Sequence, residues 1–354
     1  MRRTGHDGAS APLPGRAAGA PVRASVVIPS WDGGALLARH LPEVAAQARA
    51  LAGGAEVVVA DDGSRSPDDT TAAVVRLAGE PVRLLRLGAH GGFGAACNAG
   101  AAEARGDVLV FLNNDVHPEP GYLEALVAAL EGDERAFAVA PVTVNAGEGF
   151  VESTTRLRFH RGVFDALFPG RDGLAPPAPG ERRPIAFACG GAFACRRAAF
   201  LALGGFSPSY VPFYWEDVDL GWRARRAGLE IYEIGSARAR HEHAATIGAR
   251  YPRRAVRLAY ERNRLLFTWT HLAGARAWAA HLARLPLRFA AALFRADAAA
   301  ALPRALAALP AVVRERRRLR SSGPRAAAML REVTAGGERG WPPAPGNVRP
   351  PALD

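Results

Sequence analysis

An unbroken apolar run that ends abruptly in polar residues constrains this chain more than any other stretch. Residues 108–112 read Val-Leu-Val-Phe-Leu, and Asn113, Asn114 and Asp115 follow directly. A continuous apolar run of this length is typical of a strand that is buried on both faces of a sheet. The pattern therefore predicts a central strand with a carboxylate at its carboxyl end, the edge at which open α/β sheets bind ligands.

The sequence allows two interpretations of Asp115, as a turn residue or as a cation ligand. Asn and Asp commonly form turns that close a strand, and such a turn needs no ligand. A divalent cation, by contrast, takes oxygen ligands from one or two carboxylates together with substrate phosphates, and Asp115 would be the first of these ligands. The rest of the chain favours the second interpretation.

The first 130 residues alternate between strand and helix patterns. Apolar runs typical of strands occupy residues 25–28, 56–60, 82–87 and 108–112, and helical periodicity appears in residues 36–51. This alternation predicts parallel βαβ units. Because the carboxyl ends of parallel strands meet at one edge, Asp61 and Asp62, which follow the second strand, should converge with Asp115.

Three glycine-containing segments are candidates for contacts with a ligand. Asp62, before Gly63, can accept hydrogen bonds from a nucleobase or a ribose, although an Asp-Asp-Gly-Ser turn alone explains the motif equally well. The turn at residues 91–94 brings glycines to a helix start, where backbone N–H groups favour anions. Gly190 and Gly191 interrupt a strand-like run at 185–195, which suggests a close approach of the backbone to a ligand.

An acid-rich segment with two aromatic residues, Tyr214 and Trp215, precedes a predicted helix. If the helix begins near Glu216, then Glu216 and Asp219 share one face while Asp217 points elsewhere, so that one acid faces a pocket and the others pair with Arg or cap the helix. The alternative is that acids simply favour a helix N-terminus.

Two histidines follow a predicted strand at residues 231–234. His241 and His243 are separated by one residue, and extended backbone would point both rings the same way. Either histidine is a candidate ligand for the cation at Asp115, and a structural role is the alternative.

The composition is compatible with several classes of protein and does not select one of them. The formal net charge of +11 suits anionic partners, which include nucleic acid, an acidic membrane surface and phosphorylated substrates. The three cysteines lack metal-ligand spacing, which predicts reduced core residues of a cytoplasmic protein. No uncharged apolar segment reaches 18 residues and no secretory signal precedes the first strand, so a spanning helix is not expected.

Taken together, the motifs resemble the family-2 glycosyltransferases of the A-type, nucleotide-diphosphosugar fold, and specifically the rhamnosyltransferase-like bacterial members. The resemblance runs from about residue 25 to residue 264. The motifs that carry it, in the family's order, are Val26-Val27-Ile28-Pro29, Asp61-Asp62-Gly63-Ser64, Gly92-Phe93-Gly94 with Asn98-Ala99-Gly100, Leu112-Asn113-Asn114-Asp115, Leu203-Gly204-Gly205-Phe206 and Trp215-Glu216-Asp217-Val218-Asp219-Leu220.

The resemblance implies a Rossmann-like α/β fold, in which a mixed, mostly parallel sheet is flanked by helices and followed by a helical C-terminal extension. It implies that Asp217 is the general base beside Glu216, and that Asp115 and His241 bind Mg²⁺ or Mn²⁺ at the donor diphosphate. The implied nucleotide-sugar pocket comprises Pro29, Asp62, Gly92, Gly94, Asn98, Asn114, Gly190 and Gly191. Two departures stand out, because Asn113 replaces the first acid of the family's Asp-x-Asp motif and Ser207 replaces an Asp.

The predicted organisation has four parts. Residues 1–22 form a disordered leader and residues 335–354 a disordered tail. Residues 23–250 form the catalytic domain, divided into a nucleotide-binding half (23–130) and an acceptor-binding half (131–250). Residues 251–334 form a basic helical region, which either lies on the inner membrane surface or packs on the catalytic domain with its arginines in solvent.

The expected function is an inverting, metal-dependent and non-processive transfer of one sugar from a nucleotide-diphosphosugar to a hydroxyl of a cell-envelope glycan or lipid-linked acceptor. Donors carrying dTDP, UDP or GDP remain open, and nucleic acid is not an expected partner. A processive polysaccharide synthase is the first alternative, disfavoured by the lack of a Gln-x-x-Arg-Trp motif. A sugar-phosphate nucleotidyltransferase is the second, and it would not explain Glu216 and Asp217.

Overall fold

A computed structural model describes residues 22–65, 69–242, 251–293, 300–320, 325–335 and 340–342. Most of the predicted leader and tail, and His243, lie outside the described residues. Within the described part, the main sheet contains nine strands. Eight of them lie side by side in the order Val82–Arg86, Ala55–Asp61, Ala24–Ser30, Val108–Leu112, Ala192–Arg196, Ala136–Asn145, Glu230–His241 and Val116–Pro118, and the ninth, Arg182–Pro184, pairs with Glu230–His241. The fold is therefore the mixed, mostly parallel sheet flanked by helices that the resemblance implies.

The N-terminal half supplies the parallel part of this sheet. Its strands are β1 (Ala24–Ser30), β2 (Ala55–Asp61), β3 (Val82–Arg86) and β4 (Val108–Leu112), and its helices are α1 (Gly34–Ala50), α2 (Thr70–Ala78), α3 (Phe93–Glu103) and α4 (Tyr122–Glu131). Strand β1 lies between β2 and β4 and runs parallel to both. The carboxyl ends of the three strands therefore lie side by side.

The second half extends the sheet with antiparallel and parallel neighbours. Its strands are β5 (Val116–Pro118), β6 (Ala136–Asn145), β9 (Arg182–Pro184), β10 (Ala192–Arg196) and β11 (Glu230–His241), with helices α5 (Arg197–Ala202) and α6 (Glu216–Arg226). Strand β10 pairs antiparallel with β4 and β6, and β11 runs parallel to β6. The predicted strand at 185–195 is correct only from Ala192 onward, whereas the strand predicted at 231–234 continues to His241.

Alternating side chains of the central strands fill two cores. Val110 and Leu112 of β4 face α1 and α4, where Leu41 and Leu126 are buried. Leu109 and Phe111 face the other side, against α3, α5 and α6. This three-layer arrangement explains why residues 108–112 are apolar throughout, because the strand has no face in contact with water.

A third core joins the catalytic half to the C-terminal helices. The hairpin of β7 (Arg156–His160) and β8 (Val163–Leu167) packs with α6 and with α7 (Arg253–His271), where Phe267 is fully buried. The remaining helices are α8 (Ala275–Leu293), α9 (Ala301–Ala307), α10 (Leu309–Arg320) and α11 (Arg325–Ala335). In the described residues, no helix is long and apolar enough to cross a membrane.

Helix α7 is also tied to the catalytic half by polar contacts. The buried side-chain amide of Asn263 lies 2.8 to 3.0 Å from the carbonyl oxygens of Tyr210, Phe213 and Tyr214. Tyr214 and the following Trp215 have positive φ angles of 72° and 77°, which are unusual for aromatic residues. Helix α7 thereby fixes the segment from which α6 begins.

Candidate active site

A large cleft lies along the carboxyl ends of β1, β2 and β4. Its volume is about 1670 Å³, and it continues to the C-terminal helices. The predicted site residues that line it are Pro29, Asp62, Gly92, Asn114, Asp115, Gly190, Gly191, Glu216, Asp217 and His241. The topology thus brings together residues that are separated by more than 200 positions in the sequence.

One end of the cleft is built around Asp62. Its carboxylate accepts hydrogen bonds from the N–H groups of Gly91 and Gly92, both at 2.8 Å. It also lies 2.7 Å from Nδ1 of His90, and the ring of Trp31 stacks on that histidine at 4.0 Å. Asp62 therefore holds the glycine-rich turn in place, while the flat ring of Trp31 borders the same space.

Asp115 and His241 meet in the middle of the cleft. Strand β11 pairs with β5, directly after Asp115, and this pairing places Nε2 of His241 3.3 Å from Oδ1 of Asp115. Nδ1 of the same ring lies 2.5 Å from Oε1 of Glu152. Burial lowers the pKa of His241, but its hydrogen bonds to Asp115 and Glu152 outweigh that effect and raise the pKa to about 10.

The donor set fits a divalent cation that is bound jointly by protein and substrate. A carboxylate oxygen and an imidazole nitrogen suit Mn²⁺, and Mg²⁺ commonly uses one or two protein ligands with phosphate oxygens and water. Among the described residues, no group of three or more His, Cys, Asp or Glu side chains is arranged to hold a metal without substrate. Asp115 and His241 would therefore hold the cation together with a diphosphate.

The glycines at 190 and 191 are packed against the chain itself as well as lining the cleft. A Cβ atom at Gly191 would lie 2.8 Å from Nδ2 of Asn113, and one at Gly190 would lie 3.0 Å from the ring of Phe93. The backbone N–H of Asn113 donates to the carbonyl of Gly191 at 2.8 Å. The close approach predicted for these glycines is thus explained by internal packing that shapes the cleft wall.

Helix α6 presents two carboxylates to the cleft at its first turn. Asp217 accepts hydrogen bonds from the N–H of Val218 at 2.8 Å and of Gly190 at 3.2 Å, and burial raises its pKa to about 6. Burial, followed by the charge of Asp217, raises the pKa of Glu216 well above its usual range. A pKa of about 6 leaves Asp217 largely ionised at neutral pH.

Asp219 does not line the cleft, whereas Glu216 and Asp217 both do, and its pairing with Arg223 confirms the expectation that one of these acids pairs with Arg. Its carboxylate is fully buried and contacts Nε of Arg223 and Nε2 of His271, both at 2.7 Å. Burial raises the pKa of Asp219, but these partners outweigh it and hold the pKa well below the usual range. Because Asp217 and Asp219 are two residues apart on a helix, they point in different directions, Asp217 to the cleft and Asp219 to the core.

Two residues predicted for the nucleotide pocket do not line the cleft. The side chain of Asn98 donates to the carbonyl of Phe206 and accepts from its N–H, both at 2.8 Å. A Cβ atom at Gly94 would lie 3.2 Å from the Cβ of Phe206. Both residues therefore hold α3 against the turn that contains Phe206.

Sequence reasoning missed Glu152, Trp31 and His90. Glu152 lies in a segment without a recognisable motif, and its contact with His241 spans 89 positions. Trp31 and His90 follow predicted strands, so their position at strand ends was the available signal.

The C-terminal helices form another part of the cleft wall. This part includes Val256 of α7, Leu285 of α8 and Leu302 of α9, together with Arg253 and Arg257 near the start of α7. It therefore combines apolar side chains with cationic ones.

A sheet of this topology with an acid-lined cleft at its strand ends defines the class of A-type glycosyltransferases. Residues 25–204, about half of the chain, match the family described as Glycosyl transferase family 2. The chain belongs to this family, and it is a glycosyltransferase. The resemblance drawn from its motifs is confirmed.

Similar proteins include several bacterial glycosyltransferases. The N-acetylglucosaminyl-diphospho-decaprenol L-rhamnosyltransferase of Mycobacterium tuberculosis is 34% identical over 214 residues, which cover 54% of this chain and 68% of that protein. The validoxylamine A glucosyltransferase of Streptomyces hygroscopicus subsp. limoneus is 30% identical over 246 residues, covering 62% of this chain and 51% of that protein.

A solved structure of GalNAc-T7 with UDP, GalNAc and Mn²⁺ supports the fold. It has a TM-score of 0.53 and 20% sequence identity, and the match covers 70% of this chain and 47% of that one. At this level of identity the likeness concerns the fold alone.

Proposed function

We propose that this glycosyltransferase moves one sugar from a nucleotide-diphosphosugar to a hydroxyl of a lipid-linked or cell-envelope acceptor, with inversion and with the help of Mg²⁺ or Mn²⁺. The observation that carries the proposal is the placement of Asp217 in the same cleft as Asp115 and His241. A general base and a diphosphate-binding pair are the two elements that such a transfer needs.

Asp217 is suited to take the proton of the acceptor hydroxyl. In the described part of the chain, neither Asp217 nor Glu216 forms an ion pair with a Lys, Arg or His side chain. The charge of Asp217 is therefore not neutralised there. The N–H groups of Gly190 and Val218 fix the orientation of its carboxylate. As the hydroxyl oxygen attacks the anomeric carbon, its proton passes to Asp217 and the bond to the diphosphate breaks.

A single displacement with inversion needs one ionised base at the acceptor hydroxyl. Burial raises the pKa of Asp217 to about 6, so this carboxylate is ionised at neutral pH and can serve as that base.

The leaving diphosphate would be received at the other side of the cleft. Asp115 and His241 would hold a divalent cation there, which when bound neutralises the negative charge that develops on the diphosphate. Asp62 fixes the glycine-rich turn at the start of α3. The ring of Trp31, which borders the same space, suits the base at the nucleotide end of the donor.

The cleft wall formed by the C-terminal helices supports an acceptor that has both an anionic and an apolar part. Arg253 and Arg257 would pair with phosphate, while Leu285 and Leu302 would contact a hydrocarbon chain. A diphosphate-linked lipid has this chemistry, and the similar mycobacterial enzyme is named for such an acceptor.

Helix α8 supports an attachment to the inner membrane surface, facing the cytoplasm. Its side chains Leu282 and Leu287 are 56% and 69% exposed, and Arg276 and Arg284 are exposed beside them. The helix contains no acidic residue. Exposed leucines interspersed with arginines suit the interface of an anionic leaflet, where each arginine contributes about 1 kcal/mol.

A transfer assay with the full chain tests the proposal. Sugar donors carrying UDP, dTDP or GDP are mixed with a short polyprenyl-diphosphate N-acetylglucosamine and Mn²⁺. The expected result is release of one nucleoside diphosphate and a product heavier by one sugar, with the anomeric configuration inverted in its NMR spectrum. Products with many added sugars would indicate a processive synthase, and pyrophosphate release from a nucleoside triphosphate and a sugar phosphate would indicate a nucleotidyltransferase.

A further inference from the structure

Glu152 occupies a defined position behind the pair formed by Asp115 and His241. It follows β6, lines the cleft and is only 8% exposed. Its Oε1 atom lies 2.5 Å from Nδ1 of His241, while Nε2 of the same ring faces Asp115 at 3.3 Å. The three side chains therefore form a chain in which Glu152 contacts the ring nitrogen that points away from Asp115.

The backbone that carries Glu152 is held on both sides. The N–H of Glu152 donates to the carbonyl of Thr143 at 2.9 Å. The hydroxyls of Ser153 and Thr154 donate to the fully buried carboxylate of Glu233, at 2.7 and 2.6 Å. Because Ser153 and Thr154 follow Glu152 directly, this buried anchor fixes where the Glu152 carboxylate can lie.

The contact determines which nitrogen of His241 is available. A cation that binds His241 displaces a proton from the ring, and the neutral imidazole that remains carries one N–H and one lone pair. The carboxylate of Glu152 retains the N–H at Nδ1. With the N–H at Nδ1, the lone pair is on Nε2, the nitrogen that faces Asp115. Histidines that bind metals commonly donate their other N–H to a carboxylate, which fixes the ring and strengthens the ligand.

We propose that Glu152 is a positioning residue of the cation site: it holds the His241 ring with Nε2 directed at the space beside Asp115. The proposal rests on the function proposed above, since it requires that Asp115 and His241 bind a divalent cation. Glu152 acts through His241 and does not itself contact the reacting atoms.

Binding of Mn²⁺ to the full chain tests this role without any turnover. Because the cation would be held together with a diphosphate, the dissociation constant is measured for Mn²⁺ in the presence of a saturating nucleoside diphosphate (UDP, dTDP or GDP), from the electron paramagnetic resonance signal of the ion that is not bound to protein. Glu152→Ala removes the contact and should weaken binding about 10- to 100-fold, the usual cost of losing such a partner. Glu152→Gln keeps an oxygen that can accept the Nδ1 hydrogen bond, so it should restore binding to within about tenfold of the wild type.

Glu148 provides a matched control. It is a second glutamate that lines the same cleft, and no contact joins it to His241 in the described structure. Glu148→Ala removes one negative charge from the cleft and should leave the dissociation constant within about twofold, well below the loss expected for a partner of a metal ligand. Melting curves without Mn²⁺ verify that each variant is folded, and Glu152→Gln retains the test if Glu152→Ala does not fold.

Three outcomes would overturn the inference. If His241→Ala loses Mn²⁺ binding while Glu152→Ala keeps it, Glu152 has no positioning role, although the cation site stands. If Glu152→Gln loses as much as Glu152→Ala, the negative charge itself is required and Glu152 is a ligand instead. If Asp115→Ala and His241→Ala both bind Mn²⁺ like the wild type, the proposed cation site fails, and the role of Glu152 fails with it.

Discussion

Two neighbouring carboxylates on the two sides of helix α6 have different partners, and their pKa values are shifted in opposite directions. On the core side, Asp219 is surrounded by Arg223, His271 and the hydroxyl of Tyr210, and its pKa is held low. On the cleft side, Asp217 is held by two backbone N–H groups, and burial raises its pKa to about 6.

The difference separates a structural acid from an acid that is available for chemistry. A buried carboxylate with cationic partners is stabilised in its charged form and binds a proton only at low pH. A buried carboxylate without such partners can exchange a proton near neutral pH, as a general base must. Asp217 and Asp219 are only two residues apart, but they differ in this way because α6 lies between the cleft and the third core.

The largest effect should come from the cleft side. Asp217→Asn removes the proposed base and keeps the size of the side chain, so kcat should fall about 10²- to 10⁴-fold. The rate of nucleoside diphosphate release with saturating donor and acceptor measures this loss. The melting temperature should not fall, because an amide avoids the cost of burying a charge without a cationic partner. A variant that keeps most of its activity would remove Asp217 from the mechanism.

The core side should respond in stability instead. Asp219→Ala leaves Arg223 and His271 buried without their carboxylate, and breaking such a buried pair costs about 3–5 kcal/mol. Denaturant unfolding measures the free energy, with Asp217→Asn as the matched variant on the same helix. If the two variants are equally stable, the contrast between the two sides of α6 is not real.

The pH dependence of the reaction gives a smaller and sharper test. Asp217 must be deprotonated to act as a base, and its pKa in the folded protein is about 6. Activity should therefore be full above that pH and should be lost as the pH falls through it. Over the first pH unit below 6, kcat/KM should fall about fivefold, and over each further unit about tenfold. Asp217→Asn should lose this limb of the profile, and an unchanged limb would assign it to another group.

The strand-end part of the site could be predicted because it depends on local pattern. The apolar run before Asp115 predicts a buried strand, and parallel strands bring their carboxyl ends together, so Asp62 and Asp115 were placed in one cleft from the sequence. His241 was also placed there, by its position after the acid-rich segment and by the family resemblance, although the strand expected at 231–234 was seven residues too short to include it.

The other parts of the candidate site depend on contacts between segments that are far apart in the sequence. Asn98 belongs to a recognised motif, but its amide is used by Phe206, 108 positions away. Glu152 reaches His241 only because β6 and β11 pair in a particular register. Asp219 is kept out of the cleft by Arg223 and by His271, which lies 52 positions away in the sequence. None of these contacts can be predicted from hydrophobic periodicity, which is the main structural signal that a sequence contains.

The most direct test of the central claim is thermal stabilisation by nucleotides. Melting temperatures of the wild type and of Asp115→Ala are measured with UDP, GDP, dTDP and CDP, each with and without Mn²⁺. A ligand that binds only the folded state raises the melting temperature by mass action. We expect one nucleoside diphosphate to raise the melting temperature of the wild type only when Mn²⁺ is present. In Asp115→Ala this rise should be lost. Stabilisation that is equal without Mn²⁺, or equal in Asp115→Ala, would contradict a cation site at the end of β4.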